Sequence, residues 1–228
     1  MKSSLALIIC IVCVICGCTQ DAYDKGEGKY SLMRADFVEA HANSQKQVDS
    51  FTTDDGDHFS LAKTFTTQWV TVPDTIYRCF LYYSKVEEGS GKNVAHPISV
   101  GQVSCPKIQP MSKVKEMKTD PVKFESAWMS KTGKYLNLSL YLMTGSNGDE
   151  TVSQTLDMVS DTVAVNADAT RTCHLYLYHD QKGVPEYYSK QVYVSIITKE
   201  INADSVRISI NTYKGIVSKT FVLSNSNH

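Results

Sequence analysis

Residues 120–143 read Asp-Pro-Val-Lys-Phe-Glu-Ser-Ala-Trp-Met-Ser-Lys-Thr-Gly-Lys-Tyr-Leu-Asn-Leu-Ser-Leu-Tyr-Leu-Met, and this stretch decides the fold. In its second half Leu136, Leu138, Leu140 and Leu142 alternate with Tyr135, Asn137, Ser139 and Tyr141. That is the period of two of a strand with one buried face. The first half repeats the pattern more weakly, with Val122, Phe124 and Trp128 sharing a parity and Trp128 expected in a core. Ser130 to Lys134, with Gly133 among them, supply a turn between the two runs. The stretch is therefore a predicted hairpin that opens a β domain.

Downstream the same period continues. Strands are expected over residues 151–159, 162–166 and 172–179, where Cys173, Leu175 and Leu177 oppose His174, Tyr176 and Tyr178. Val192, Val194 and Ile196, then Val206, Ile208 and Ile210, then residues 216–223 complete the series. Short strands separated by turns over roughly 100 residues predict a sandwich of two antiparallel sheets. No long helical period and no internal repeat appears.

Upstream, strands are expected over residues 30–42, 47–53, 58–62, 76–86 and 98–105. Asp54-Asp55-Gly56-Asp57 separates the second from the third, and Asp-Gly points to a type I′ hairpin turn. A calcium reading of these aspartates lacks the EF-hand spacing and the distal Glu. In the fourth strand Tyr77, Cys79, Leu81 and Tyr83 lie on one face, with Arg78, Phe80 and Tyr82 on the other. Bulk on both faces requires cover on both sides or closure into a small barrel. Five short strands in about 75 residues fit an OB-like barrel.

Between these regions Pro106, Pro110 and Pro121 bracket a segment with Lys107, Lys113, Lys115 and Lys118, read as a linker whose lysines are solvated. The predicted class is all-β, an N-terminal small OB-like barrel followed by a C-terminal antiparallel β-sandwich. The expected boundaries are 1–17 for a lipoprotein signal peptide, 18–29 for a lipidated tether, 30–106 for the barrel, 107–120 for the linker and 121–224 for the sandwich.

The signal assignment rests on Lys2 followed by an uncharged apolar run from Leu5 to Cys16. A run of about a dozen residues is too short to span a bilayer, which takes about 20. Ile15-Cys16-Gly17-Cys18 looks like a lipobox, so Cys18 is the expected lipidation site and new N-terminus. Two acyl chains on one cysteine anchor durably, at about 0.8 kcal/mol per buried methylene. The polar stretch that follows, with Asp21, Asp24 and Glu27, could extend roughly 30 Å at ~3.3 Å per residue. The expected location is the cell envelope, lipid-anchored in the outer membrane, with surface display consistent with the acidic tether.

Loss of Lys2 takes the basic residues from 23 to 22 against 24 acidic ones. Near-neutrality leaves no basic stripe for nucleic acid, which is excluded as a partner. Of seven cysteines, Cys10, Cys13 and Cys16 leave with the signal and Cys18 is acylated. Cys79, Cys105 and Cys173 remain in strand-like runs without metal-ligand spacing, and read as buried apolar thiols. A Cys79–Cys105 bridge stays open as an alternative in an oxidising envelope.

No catalytic order of Ser, His and Asp, no phosphate loop and no nucleotide fingerprint is present, so no enzyme activity, cofactor or metal is expected. His174 and His179 have opposite parity and cannot share a metal from one face. The aromatics are the remaining candidates for binding, because rings with polar tips give large rigid contact area. Trp69 in a loop, and Tyr187 and Tyr188 after Gly183-Val184-Pro185, are the candidate ligand-binding residues.

One family carries these features in this order. The lipobox and acidic tether, Tyr30-Ser31-Leu32, the Asp55-Gly56 turn and Arg78-Cys79-Phe80-Leu81-Tyr82-Tyr83 come first. Asp120-Pro121-Val122 with Trp128, and Tyr135-Leu136-Asn137-Leu138, follow. Together they resemble the NigD-like lipoproteins of Bacteroidetes, with a less aromatic first strand and extra cysteines marking a divergent member. The resemblance implies an OB-like domain followed by a β-sandwich, and an accessory or bacteriocin-immunity role, without catalytic residues to carry over. Two functions follow as expectations. One is an envelope lipoprotein that binds a protein or peptide partner; the other is a surface glycan-binding lipoprotein that uses Trp69, Tyr187 and Tyr188.

Overall fold

The computed structural model describes residues 33–87, 93–146 and 153–223, with the side chains of 86 and 87 excepted. Cys18, the expected lipidation site, and the expected signal and tether lie outside the described residues. Strands β1 (Met33–Ala42), β2 (Val48–Thr53), β3 (His58–Phe65), β4 (Thr75–Glu87) and β5 (Asn93–Gln102) close into a barrel in the order β1-β2-β3-β5-β4. β3 and β5 pair in parallel, while β1/β2, β2/β3 and β4/β5 are antiparallel. This is the partly Greek-key connectivity of an OB-like barrel.

The alternation in β4 does what its two bulky faces require. Cys79, Leu81 and Tyr83 point into the barrel with Val38, Ala40, Phe51 and Phe59. The Phe51 and Phe59 rings stack at 5.2 Å, and Tyr83 meets them at 4.9 and 5.5 Å. Small Ala40 and Ala95 leave room for those rings, so the lumen is filled rather than open. The opposite face of β4 carries Arg78 and Phe80 toward the second domain. The turn after β2 has positive φ at Gly56 (94°) and not at Asp55. It is therefore not the expected type I′ turn: Asp54–Asp57 form a four-residue loop in which Asp57 O accepts from Thr53 N at 2.9 Å.

The second domain stacks two sheets. Strands β6 (Ile108–Pro110), β9 (Thr155–Val165), β10 (Arg171–Asp180), β12 (Ser205–Thr212) and β13 (Gly215–Val222) form one in the order β13-β12-β10-β9-β6. Strands β7 (Lys123–Met129), β8 (Tyr135–Thr144) and β11 (Tyr188–Ile197) form the other in the order β11-β8-β7. Between them lie Leu136, Leu138, Leu140, Leu175, Ile196 and Ile208, all at most 1% exposed. The larger sheet is mixed, not purely antiparallel. The chain leaves β10, crosses to the other sheet as β11, and returns as β12 parallel to β10. Ile108–Pro110, inside the segment read as a linker, adds to this sheet beside β9. The two runs expected over residues 151–166 are one strand in their described part.

A register shift between Phe124 and Ser126 changes the fate of Trp128. The extra residue of a bulge inverts parity beyond it. Phe124 packs on the sandwich core, and so do Ala127 and Met129, whereas Trp128 turns to the opposite face and meets Phe37 of the barrel at 5.4 Å. The core position expected for Trp128 is thus corrected. Barrel and sandwich together form one compact unit, Arg34–His228.

Candidate functional site

The alternation in β8 predicts one buried face, yet both faces are buried. The leucines enter the sandwich core, and Tyr135, Asn137 and Ser139 on the polar face are 8%, 0% and 2% exposed. Barrel residues cover Tyr135 and Asn137, while Glu125 and Gln191 of the same sheet cover Ser139. Polar groups removed from water must find partners or cost ~1–3 kcal/mol each, and here they do.

Arg78, 6% exposed, reaches from the barrel into this face. Its Nη1 and Nη2 donate to Asp54 Oδ1 and Oδ2, both at 2.7 Å, in a fork geometry. Nε donates to Ser195 Oγ at 3.1 Å, and Nη2 also donates to Asn137 Oδ1 at 3.1 Å. Asn137 Nδ2 donates to Asp54 Oδ2 at 3.0 Å, and Ser195 Oγ to Asn137 Oδ1 at 2.6 Å. The guanidinium also lies 3.9 Å from the Tyr135 ring centroid. Two barrel residues and two sandwich residues thereby close one hydrogen-bonded ring of side chains.

Around this clamp Phe37 stands at 4.8 Å from Phe80, 5.4 Å from Trp128 and 5.0 Å from Tyr193. On the other flank Tyr135 Oη donates to Glu39 Oε1 at 2.9 Å and Lys134 Nζ to Glu39 Oε2 at 3.1 Å. Burial pushes the Glu39 carboxyl up, but these two hydrogen bonds and the charges of Lys134 and Arg78 outweigh it, leaving it below the usual carboxylate range. Burial beside the Glu39 carboxylate raises the Tyr135 phenol.

The junction leaves two adjoining clefts that share Gln102, Ser104 and Leu156. One, about 500 Å³, runs along Arg78, Ser104, Cys105, Lys107 and Asp157. The other, about 640 Å³, lies between Gln102, Leu142, Leu156, Lys190, Val192 and Tyr193. Beside the second, Glu125 Oε2 accepts from Ser139 Oγ at 2.6 Å and Gln191 Nε2 at 2.7 Å, with Tyr141 Oη 3.3 Å from Oε1. The Ser139 hydrogen bond, helped by those from Gln191 and Tyr141 and by the Lys123 charge, holds this carboxyl low. Tyr193 is raised by burial and by the neighbouring Tyr82, Glu125 and Tyr141.

The candidates picked from sequence fall elsewhere. Trp69 is half-buried against the barrel core, its ring 5.7 Å from that of Tyr77. Tyr187 and Tyr188 are 70% and 59% exposed at the start of β11, with Tyr187 N donating to Thr144 O at 3.0 Å. These ring contacts do not join Trp69 to the two tyrosines. Tyr188 opens the strand that borders the larger cleft; Trp69 lines neither cleft. Cys79, Cys105 and Cys173 are free thiols, and the Cys79–Cys105 bridge does not form. His179, 1% exposed, sits with Nδ1 2.9 Å from Asp120 O and is tied into the sandwich. Among the described residues no group of His, Cys, Asp and Glu is placed to hold a metal ion.

Sequence reasoning placed Arg78, Asp54 and Asn137 in strands and a turn but did not join them, with Ser195, into one site. Their only signal was an arginine alternating with core residues in β4 and an asparagine inside a leucine strand.

Residues 105–223, more than half of the chain, match the family model of the NigD-like C-terminal beta sandwich domain. The chain belongs to the NigD-like family. Three crystal structures share the architecture of this NigD-like chain. A NigD-like immunity protein from Bacteroides caccae has 19% identity and a TM-score of 0.64, the match covering 83% of this chain and 96% of that one. A protein of unknown function from Bacteroides vulgatus has 16% identity and a TM-score of 0.62, covering 86% and 92%. A predicted lipoprotein from Bacteroides fragilis has 11% identity and a TM-score of 0.60, covering 86% and 100%. At these identities the likeness is one of fold, and this sequence is a divergent NigD-like member. No curated protein matches it.

Proposed function

We propose that this NigD-like chain is a non-enzymatic cell-envelope lipoprotein, acylated at Cys18, that binds a protein or peptide partner at the barrel–sandwich junction. The observation that carries the reading is the buried ring of Arg78, Asp54, Asn137 and Ser195 beside two clefts. A junction locked in this way holds its clefts in shape before a partner arrives, which lowers the ordering cost of binding. The role fits an accessory or immunity protein, and the Bacteroides caccae structure is named a NigD-like immunity protein. The lipobox at Cys18 and the predicted lipoprotein among the relatives support an outer-membrane anchor.

Crosslinking and capture of the acylated protein from the envelope of its native host tests this, beside a Cys18→Ala control that loses membrane retention. A specific co-purifying protein is the expected result. Capture of no protein contradicts the partner reading.

A second reading is favoured by the exposure of the adjacent Tyr187 and Tyr188: a surface that takes glycan. It predicts that envelope polysaccharide binds and that Tyr187→Ala with Tyr188→Ala abolishes binding. Retained affinity in the double variant removes it.

A further inference from the structure

Strand β11 pairs with β8 along its whole length on one edge. On the other edge its described partner is a single residue of the connecting segment, Ser104, which forms a parallel bridge with Val194. Ser104 N donates to Tyr193 O at 3.3 Å, and Ser195 N donates to Ser104 O at 2.8 Å. In a strand the N–H and C=O of one residue point to the same edge, and alternate residues share that edge. Tyr193 and Ser195 therefore face the Ser104 side, and so does Gln191. Gln191 directs both its N–H and its C=O, and Tyr193 its N–H, at an edge that no strand among the described residues covers. The four residues from Tyr188 to Gln191 are exposed.

The 640 Å³ cleft runs along this edge from Lys190 to Tyr193 and is also lined by Leu142 of β8, Leu156 of β9 and Ser104. Of its lining, Leu142, Leu156 and Val192 pack in or against the sandwich core, Gln191 and Tyr193 lie on the opposite face of β11, and Phe80, Gly101 and Gln102 come from the barrel. An added strand meets both faces in alternation, as strand geometry requires. Ser104 already provides its first rung, so a segment that continues from there extends an interface already present in the chain. From Tyr188 to Val192 the edge spans roughly 14 Å, at ~3.4 Å per residue.

We propose that this edge takes an extended peptide segment of the partner by strand addition, with apolar side chains at alternate positions entering the cleft toward Leu142, Leu156 and Val192. Main-chain hydrogen bonds to Gln191 and Tyr193 supply the pairing, and the cleft supplies side-chain selectivity. The proposal deepens the partner-binding reading above and rests on it.

The probe is a displayed library of random linear peptides, selected against the intact chain. Enriched peptides are expected to carry apolar residues at alternate positions and to slow hydrogen exchange at the Gln191 and Tyr193 amides of the unmodified protein. Gln191→Pro removes the edge N–H, and a proline is tolerated where that N–H faces solvent. Gln191→Ala keeps the amide and removes the side chain. Affinity should fall about tenfold further in Gln191→Pro than in Gln191→Ala, the effect of one lost main-chain hydrogen bond. The exchange measurement needs no variant and stands even if Gln191→Pro folds poorly.

Peptides that bind while both amides exchange unchanged overturn the proposal, as does equal loss in the two variants or no enrichment. Protection of those amides that rises with protein concentration and without peptide also overturns it, since the occupant is then a second copy. A protein captured from the envelope with no change at these amides leaves the partner reading standing and removes the edge.

Discussion

Arg78 and Asp54 meet through two parallel N–H···O bonds of 2.7 Å, and they do so at the seam between barrel and sandwich. Asp54 comes from a hairpin loop and Arg78 from a strand 24 residues later. Asn137 and Ser195, in two strands of the sandwich, satisfy the donors and acceptors left over. The loop that follows β2 thus carries a carboxylate that ties the barrel to the next domain.

Asp54→Ala leaves Arg78 buried and without its counter-ion. Removing one partner of a buried pair costs about 3–5 kcal/mol, more than the pair contributes over an apolar replacement. The unfolding free energy should fall by that amount at neutral pH, read as a lower denaturant midpoint at unchanged slope. A joint replacement, Asp54→Leu with Arg78→Met, should recover a large part of it, because no charge is then stranded.

Phe37 is the aromatic contact shared by Phe80, Trp128 and Tyr193. Its truncation to Ala opens a void at the seam and should cost about 2–4 kcal/mol, by loss of transfer energy and of ring contacts. Trp128 emission should shift to the red as water reaches the indole. Phe37→Leu should lie between the two.

Glu39 gives the seam a pH dependence. Its carboxyl lies below the ordinary value of 4.5 in the folded chain, so folding favours the ionised form. Its contribution is present above the unfolded value and is lost as pH falls through the folded one. Denaturant midpoints compared between the wild type and Glu39→Gln should differ at pH 7 and converge on acidification. A gap that widens toward acid contradicts this sign.

The three thiols should differ in reactivity. Cys79 lies inside the barrel, where burial pushes its thiol up to about 12 and leaves almost no thiolate at neutral pH. Cys105 is raised as well, but it is only partly buried and borders the smaller cleft. In a Cys18→Ser protein, thiol labelling under native conditions should modify Cys105 at least about tenfold faster than Cys79. Under denaturing conditions the two rates should converge.

The architecture was legible because it rests on period and punctuation. The leucine alternation of β8, the two-faced bulk of β4 and the turn residues at Gly56 and Gly133 each correspond to a local requirement, and each is present in the fold. The seam was not legible, because its requirements are long-range. Nothing within a few residues of Asn137 distinguishes a polar side chain facing water from one lying under Arg78, which is 59 residues away in sequence. Trp128 shows the same limit: a bulge between Phe124 and Ser126 reverses the parity on which its core placement depended. Ile108–Pro110 looked like linker because three residues between prolines carry no period, and only the free edge of β9 makes them a strand. The aromatics Trp69, Tyr187 and Tyr188 stood out for their chemistry, while the clefts are built largely from residues with no motif of their own.

A photo-crosslinking side chain placed at Lys190, with the protein expressed in its native host, tests the proposed binding surface most directly. Lys190 borders the larger cleft, and Val163, 45% exposed on β9, is a control position that lines neither of the two junction clefts. One discrete crosslinked protein species is predicted from Lys190 and absent from Val163. The same species from both positions, or no species from Lys190, would contradict a partner seated at the barrel–sandwich junction.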